Sequence, residues 1–328
     1  MPNATPASAP DARPYSPRRS ARSLTVTLRR TQRYHVHVWG DPSLVTPQRP
    51  ALVMVHGWMD VGASYQFLVD ELAALEGEAR CVIAPDWRGF GLSQGPAVDS
   101  YWFPDYLADL DALLRAPELG LDAAAPIDLV GHSMGGNVVM LYAGVRAARI
   151  RRLVNLEGFG MPRNTPEQAP RRYTQWLDEL AEPSALRSYP SLAAVAERLM
   201  KNNPRLRADR AAWLAPHWSR EAAPGQWEIL GDAAHKHVNP ILYRVDEVLA
   251  CWRAITAPVL WVEGRETDVT KWWGHRYPRE DFESRLAVVP TLERHLLSDC
   301  GHMLHHDQPQ ALAQRMKSFL DAGDPPVG

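Results

Sequence analysis

A chain of 328 residues, 45% apolar and 23% charged, has the makeup of a water-soluble globular protein. It can bury a large core, as one big α/β domain with an insertion or as two domains. A net charge of −2 with scattered arginines offers no basic face for nucleic acid, no run of about 18 apolar residues could span a bilayer, and three dispersed cysteines (Cys81, Cys251, Cys300) suit a reducing cytoplasm rather than a disulfide framework.

Residues 1–22, rich in Pro, Ala, Ser and Arg and without the apolar run of a secretory leader, read as a flexible tail. Leu24 to Leu28 and Tyr34 to Trp39 alternate apolar with polar, which predicts half-exposed antiparallel strands. The unbroken apolar runs Ala51 to Val55 and Cys81 to Ala84 predict central parallel strands, with a helix over Tyr65 to Leu75 between them. Tyr101 to Leu114 reads as a helix stopped by Pro117. Pro126 to Val130 is a buried strand, Gly136 to Ala143 a helix, and Arg152 to Leu156 another strand. Ala257 to Val262 resumes strand character, Arg294 to Leu297 is a weaker strand, and Gln308 to Leu320 is a closing amphipathic helix opened by Pro309. Strands alternating with helices predict an α/β fold: a mostly parallel sheet of about eight strands, covered by helices on both faces.

From about Gly160 to Thr256 the rhythm breaks, with no strong strand and many prolines and aromatics, among them Trp176, Trp213, Trp218, Trp227 and Trp252. Residues 160–256 therefore read as a helical cap inserted after the sixth strand, and 23–159 with 257–328 as the core. Most of the insert's aromatics are expected to build its own interior, and some to line a pocket.

Between the fifth strand and its helix stands Gly131-His132-Ser133-Met134-Gly135. A Gly-x-Ser-x-Gly at a strand-to-helix junction is a nucleophile elbow: the turn strains the serine backbone and lifts its hydroxyl above the sheet. The flanking glycines avoid collision with strand and helix. A serine hydroxyl needs a base to take its proton and an acid to orient that base. Among 12 histidines, His302 in Asp299-Cys300-Gly301-His302-Met303 is singled out by its place after the last strand. Two carboxylates compete as the acid, both after strand ends: Asp268, which is preferred, and Glu157. His56-Gly57-Trp58 ends the third strand and can aim the Trp58 backbone N–H at an oxyanion, with the N–H of Met134 as second donor. The pairs His35/His37, His235/His237 and His305/His306 have no acidic partner at ligand spacing, so neither a metal nor a cofactor is expected.

These segments, with Asp86 to Ser93 and Gly264 to Asp268, resemble those of an α/β-hydrolase with a helical cap, in order and spacing, from about residue 24 to 320. The resemblance implies Ser133 as nucleophile, His302 as base, Asp268 as acid, with the N–H groups of Trp58 and Met134 as oxyanion hole, and no catalytic role for Asp86 or Arg88. One departure stands out: Thr267 occupies the acid's customary place and Asp268 follows it, while Glu157 matches capped relatives whose acid follows the preceding strand. Ser133 is incompatible with the carboxylate nucleophile of dehalogenases and epoxide hydrolases of this fold. The expectation is a cytoplasmic serine hydrolase, monomer or homodimer, cleaving a small apolar or aromatic ester. Lactonase, thioesterase and carbon–carbon hydrolase chemistry use the same residues, and a ligand-sensing protein with vestigial activity is the alternative from another class.

Overall fold

The computed structural model describes residues 14–323 apart from 30, 78, 79 and 183. Eleven strands run β1 (Arg22–Leu28), β2 (Gln32–Trp39), β3 (Leu52–Val55), β4 (Val82–Pro85), β5 (Ile127–His132), β6 (Ile150–Leu156), β7 (Ser188–Tyr189), β8 (Ser219–Ala223), β9 (Gln226–Ile229), β10 (Val259–Gly264) and β11 (Leu292–Leu297) among the described residues. The helices are α1 (Gln66–Glu76), α2 (Phe103–Leu113), α3 (Met134–Val145), α4 (Ala169–Ala181), α5 (Leu192–Asn202), α6 (Ala208–Trp218), α7 (Val245–Arg253), α8 (Thr270–Trp273), α9 (Arg279–Leu286), α10 (Leu304–Asp307) and α11 (Pro309–Leu320). None of them is long and apolar enough to cross a membrane.

Eight strands form the main sheet in the order β1-β2-β4-β3-β5-β6-β10-β11. β1 pairs with β2, and β2 with β4, antiparallel; the rest is parallel, as the alternating and unbroken apolar runs predict. Alternate residues of each strand feed opposite faces. Val53, Leu129, Leu153 and Trp261 point to the core beneath α2, α3, α7 and α9. Leu52, Val130, Val154 and Leu260 point to the core beneath α1 and α11. The Asp86 turn is a structural knot: its buried carboxylate accepts from His35 Nδ1 and from the N–H groups of Gly62 and Leu92. Arg88 reaches the buried Asp109.

Three sequence expectations change here. Residues 1–13 of the predicted tail lie outside the described residues, but the stretch that follows is packed. The Tyr15 ring meets Phe67 and Trp213 edge-on at 4.9 and 5.4 Å, and the N–H groups of Arg18 and Arg19 donate to Asp70. The insert after β6 is not wholly helical, because β7, β9 and β8 form a small antiparallel sheet. Pro224-Gly225 turns the chain there with Gly225 at φ 71°, and the strands are too short to register as a pattern. Finally, α7 packs directly on α3: Trp252 is buried in the main hydrophobic cluster, and a Cβ on Gly144 of α3 would meet Cys251 O at 2.0 Å. The insert's own interior is instead built by α5 and α6 around Phe67 of α1.

Candidate active site

Ser133 joins β5 to α3 at φ 52° and ψ −114°, a conformation that side chains of L-residues resist. Its neighbours show why the turn needs glycines. A Cβ on Gly131 would lie 2.4 Å from Gly135 O, and one on Gly135 would lie 2.3 Å from Val55 O. Neither backbone oxygen can move without breaking the β3–β5–α3 junction. Gly135→Ala should therefore destabilise the fold by about 3 kcal/mol, read as a lowered denaturation midpoint. The Ser133 N–H donates to Leu156 O at 2.8 Å, which ties the turn to the end of β6.

One residue on, Glu157 leaves β6 at φ 57° with its carboxylate buried. Its neighbours in the sheet are β5 and β10, so it lies between the serine turn and the end of β10. Oε1 accepts from the Gly264 N–H at 2.7 Å, and Oε2 lies 2.6 Å from His302 Nδ1. Burial pushes the Glu157 carboxyl above the ordinary carboxylate range, while His302 and the Gly264 N–H favour its ionised form. The loop after β11 brings His302 close because Gly264 lacks a side chain: a Cβ there would lie 2.5 Å from the carbonyls of Cys300 and Gly301.

Asp268 is elsewhere. It is exposed, and its Oδ1 accepts from the Thr270 hydroxyl at 2.5 Å and from the Thr270 N–H at 3.0 Å, just ahead of the short α8. The Thr270 hydroxyl chiefly, with the N–H, lowers the Asp268 pKa. Of the two candidate carboxylates, Glu157 and not the preferred Asp268 lies beside His302 in this structure: the loop leaving β10 turns to solvent, whereas Glu157 sits at a strand end between two paired strands. The legible signals were the misplaced Thr267 and the Glu157-Gly158 step at a strand end. A Cβ on Gly158 would meet Gly136 C at 2.6 Å, so the chain passes tightly against α3 there.

Ser133, His302, Glu157, Trp58 and Met134 all line one cavity of about 570 Å³. Met134 opens α3, so its N–H has no intrahelical acceptor. The aromatic walls come chiefly from outside the insert: Trp102, Phe103 and Tyr106 at α2, Phe159, and Trp272 and Trp273 on α8. The insert contributes His235, His237 and Asn239, while Trp213, Trp218 and Trp227 pack against its own interior. Of the insert's aromatics, Tyr189 and Trp218 line an adjoining cavity of about 490 Å³ that shares Ser133 and His302.

Two neighbours of His302 were not foreseen. The Trp272 ring lies 4.4 Å from the imidazole, edge to face. His132, fully buried beside the serine, has Nε2 2.8 Å from His302 O. A carbonyl only accepts, so this nitrogen carries the hydrogen. Burial holds His132 neutral, its pKa well below that of a free imidazole.

The chain is similar to known proteins in sequence and fold. The model of the alpha/beta hydrolase family matches residues 52–315. The chain is 26% identical to a cis-3-alkyl-4-alkyloxetan-2-one decarboxylase of Shewanella oneidensis, over 83% of this chain and 82% of that protein. It is 26% identical to a 2-hydroxy-6-oxo-2,4-heptadienoate hydrolase of Pseudomonas putida, over 83% and 90%. Its fold is similar to the solved thioesterase domain from the curacin biosynthetic pathway, with a TM-score of 0.76 and 25% identity over 91% of this chain and 99% of that one. With the family model spanning both the serine turn and the His302 loop, the chain belongs to the alpha/beta hydrolase family, and it is a hydrolase.

Proposed function

We propose that the protein hydrolyses a small apolar or aromatic carboxylic ester through an acyl-enzyme on Ser133. The observation that carries this reading is the 2.6 Å contact between His302 Nδ1 and buried Glu157, in the cavity that Ser133 faces. Ser133 Oγ attacks the ester carbonyl while His302 Nε2 takes its proton. Glu157 fixes the tautomer with hydrogen on Nδ1 and offsets the charge of the imidazolium. The oxyanion meets the N–H groups of Trp58 and Met134, a pair in which each donor contributes about 3 kcal/mol to the transition state. His302 returns the proton to the departing alcohol, then activates water against the acyl-enzyme.

The aromatic walls favour a flat apolar acyl group. A panel of esters sharing one leaving group tests this. Arylacyl esters should exceed the acetyl ester in kcat/KM by about tenfold or more, the worth of burying a few extra carbons. Equal rates across the panel would remove the aromatic assignment. Faster turnover of a matched thioester or lactone would move the substrate class.

A further inference from the structure

Behind the serine turn lies a polar group that the hydrolytic mechanism does not use. Asp60 follows β3, His132 ends β5 and His305 lies in α10, and all three are buried. A carboxylate oxygen and one ring nitrogen from each histidine lie within 4.8 Å of one another. Their polar atoms are short of partners. Asp60 Oδ1 accepts from the Val61 N–H at 2.8 Å and from the Ser64 hydroxyl, but among the described residues Oδ2 has no hydrogen-bond partner, and His305 Nε2 stands 3.7 Å from it. Among the described residues, both His305 ring nitrogens and His132 Nδ1 are likewise without hydrogen bonds. Buried polar atoms left unmatched are destabilising, so a ligand that satisfies them is favoured.

We propose that Asp60, His132 and His305 form a binding site for a divalent transition-metal ion of the zinc class. The donor set, two imidazoles and one carboxylate, is one that zinc takes readily, leaving a further position for water. The tautomer of His132 fits. Its Nε2–H is donated to the carbonyl of His302, leaving a lone pair on Nδ1; this is the outer hydrogen bond that metal-bound imidazoles ordinarily make. Gly57 keeps space at that nitrogen, since a Cβ there would lie 3.0 Å from Nδ1. Ligand atoms on one zinc ion are about 3.3 Å apart, so binding draws the three side chains together by up to about 1.5 Å. Asp60 and His132 also line the cavity of about 490 Å³ beside Ser133, which gives an ion its route.

A comparable group shows the contrast. His35, His37 and Asp86 are equally close, but His35 Nδ1 and the N–H groups of Gly62 and Leu92 already satisfy the Asp86 carboxylate. There the carboxylate is already engaged on both oxygens, and His35 Nε2 also has a partner in the Ser23 hydroxyl.

Occupancy pulls on His132 and hence on the carbonyl of His302, so a bound ion lowers ester turnover. This consequence rests on the proposed role of His302; the binding does not. The test is titration of the full chain with Co2+, read by visible d–d absorption. One equivalent should give a low-coordinate spectrum. Asp60→Asn and His305→Gln, checked for folding by circular dichroism, should each weaken binding by about tenfold or more, while His302→Ala keeps it. No spectrum in the wild type overturns the site, as does one that survives both Asp60→Asn and His305→Gln. X-ray absorption of the zinc-loaded wild type needs no variant: two imidazoles are expected, and one or none refutes the assignment.

Discussion

Glu157→Gln should lower kcat on an activated ester by about 10^3 to 10^4-fold, whereas Asp268→Asn should change it by no more than about twofold. The amide keeps an oxygen for the Gly264 N–H but turns an NH2 donor toward His302 Nδ1. The imidazole must then present a lone pair at Nδ1 and carry its hydrogen on Nε2, where it cannot accept the serine proton. The loss corresponds to about 4–5.5 kcal/mol of transition-state stabilisation. Stability separates this effect from misfolding. Because burial raises the Glu157 pKa, the native state holds this proton more tightly than the unfolded chain does. Its contribution to stability therefore falls as pH rises through the unfolded and then the folded pKa, and the ionised group is a net cost above both. The neutral Gln variant should thus melt at or above the wild-type temperature near pH 7. A collapse in Asp268→Asn with normal kcat in Glu157→Gln would reverse the assignment.

The second large effect couples activity to strain. Ser133→Ala should lower kcat by about a million-fold, as loss of a serine nucleophile does in a triad enzyme. Ser133→Gly should lose as much and also gain stability. At φ 52° and ψ −114° a side chain costs about 1–3 kcal/mol, and glycine removes that cost while adding about 0.5–1 kcal/mol of unfolded-state entropy. The expected net gain is about 1 kcal/mol, measured as the difference in chemical denaturation midpoint between the Gly and Ala variants. A Gly variant less stable than the Ala variant by about 0.5–1 kcal/mol would mean that the turn is unstrained.

How far the sequence alone reaches can be traced residue by residue. Ser133 and the main sheet were legible because local pattern and elbow glycines agree: unbroken apolar runs mark the parallel strands, and Gly131 and Gly135 mark the tight junction. His302 was legible from its place after the last strand. The partner of His302 was not, because the choice depends on where two strand-end loops point. Asp268 and Glu157 both follow strands, yet one loop runs outward and the other stays between β5 and β10. The small sheet of the insert was missed because strands of two to five residues leave no periodic signal. The Asp60–His132–His305 group was invisible for a different reason: its members are far apart in the chain, so no local spacing joins them.

The central claim is that Ser133 is an activated nucleophile, and a fluorophosphonate probe tests it most directly. The folded wild-type protein should be labelled at one site, mapped to the peptide carrying Ser133, and the Ser133→Ala protein should not be labelled. An unlabelled wild type, alongside a labelled control serine hydrolase, would contradict the account.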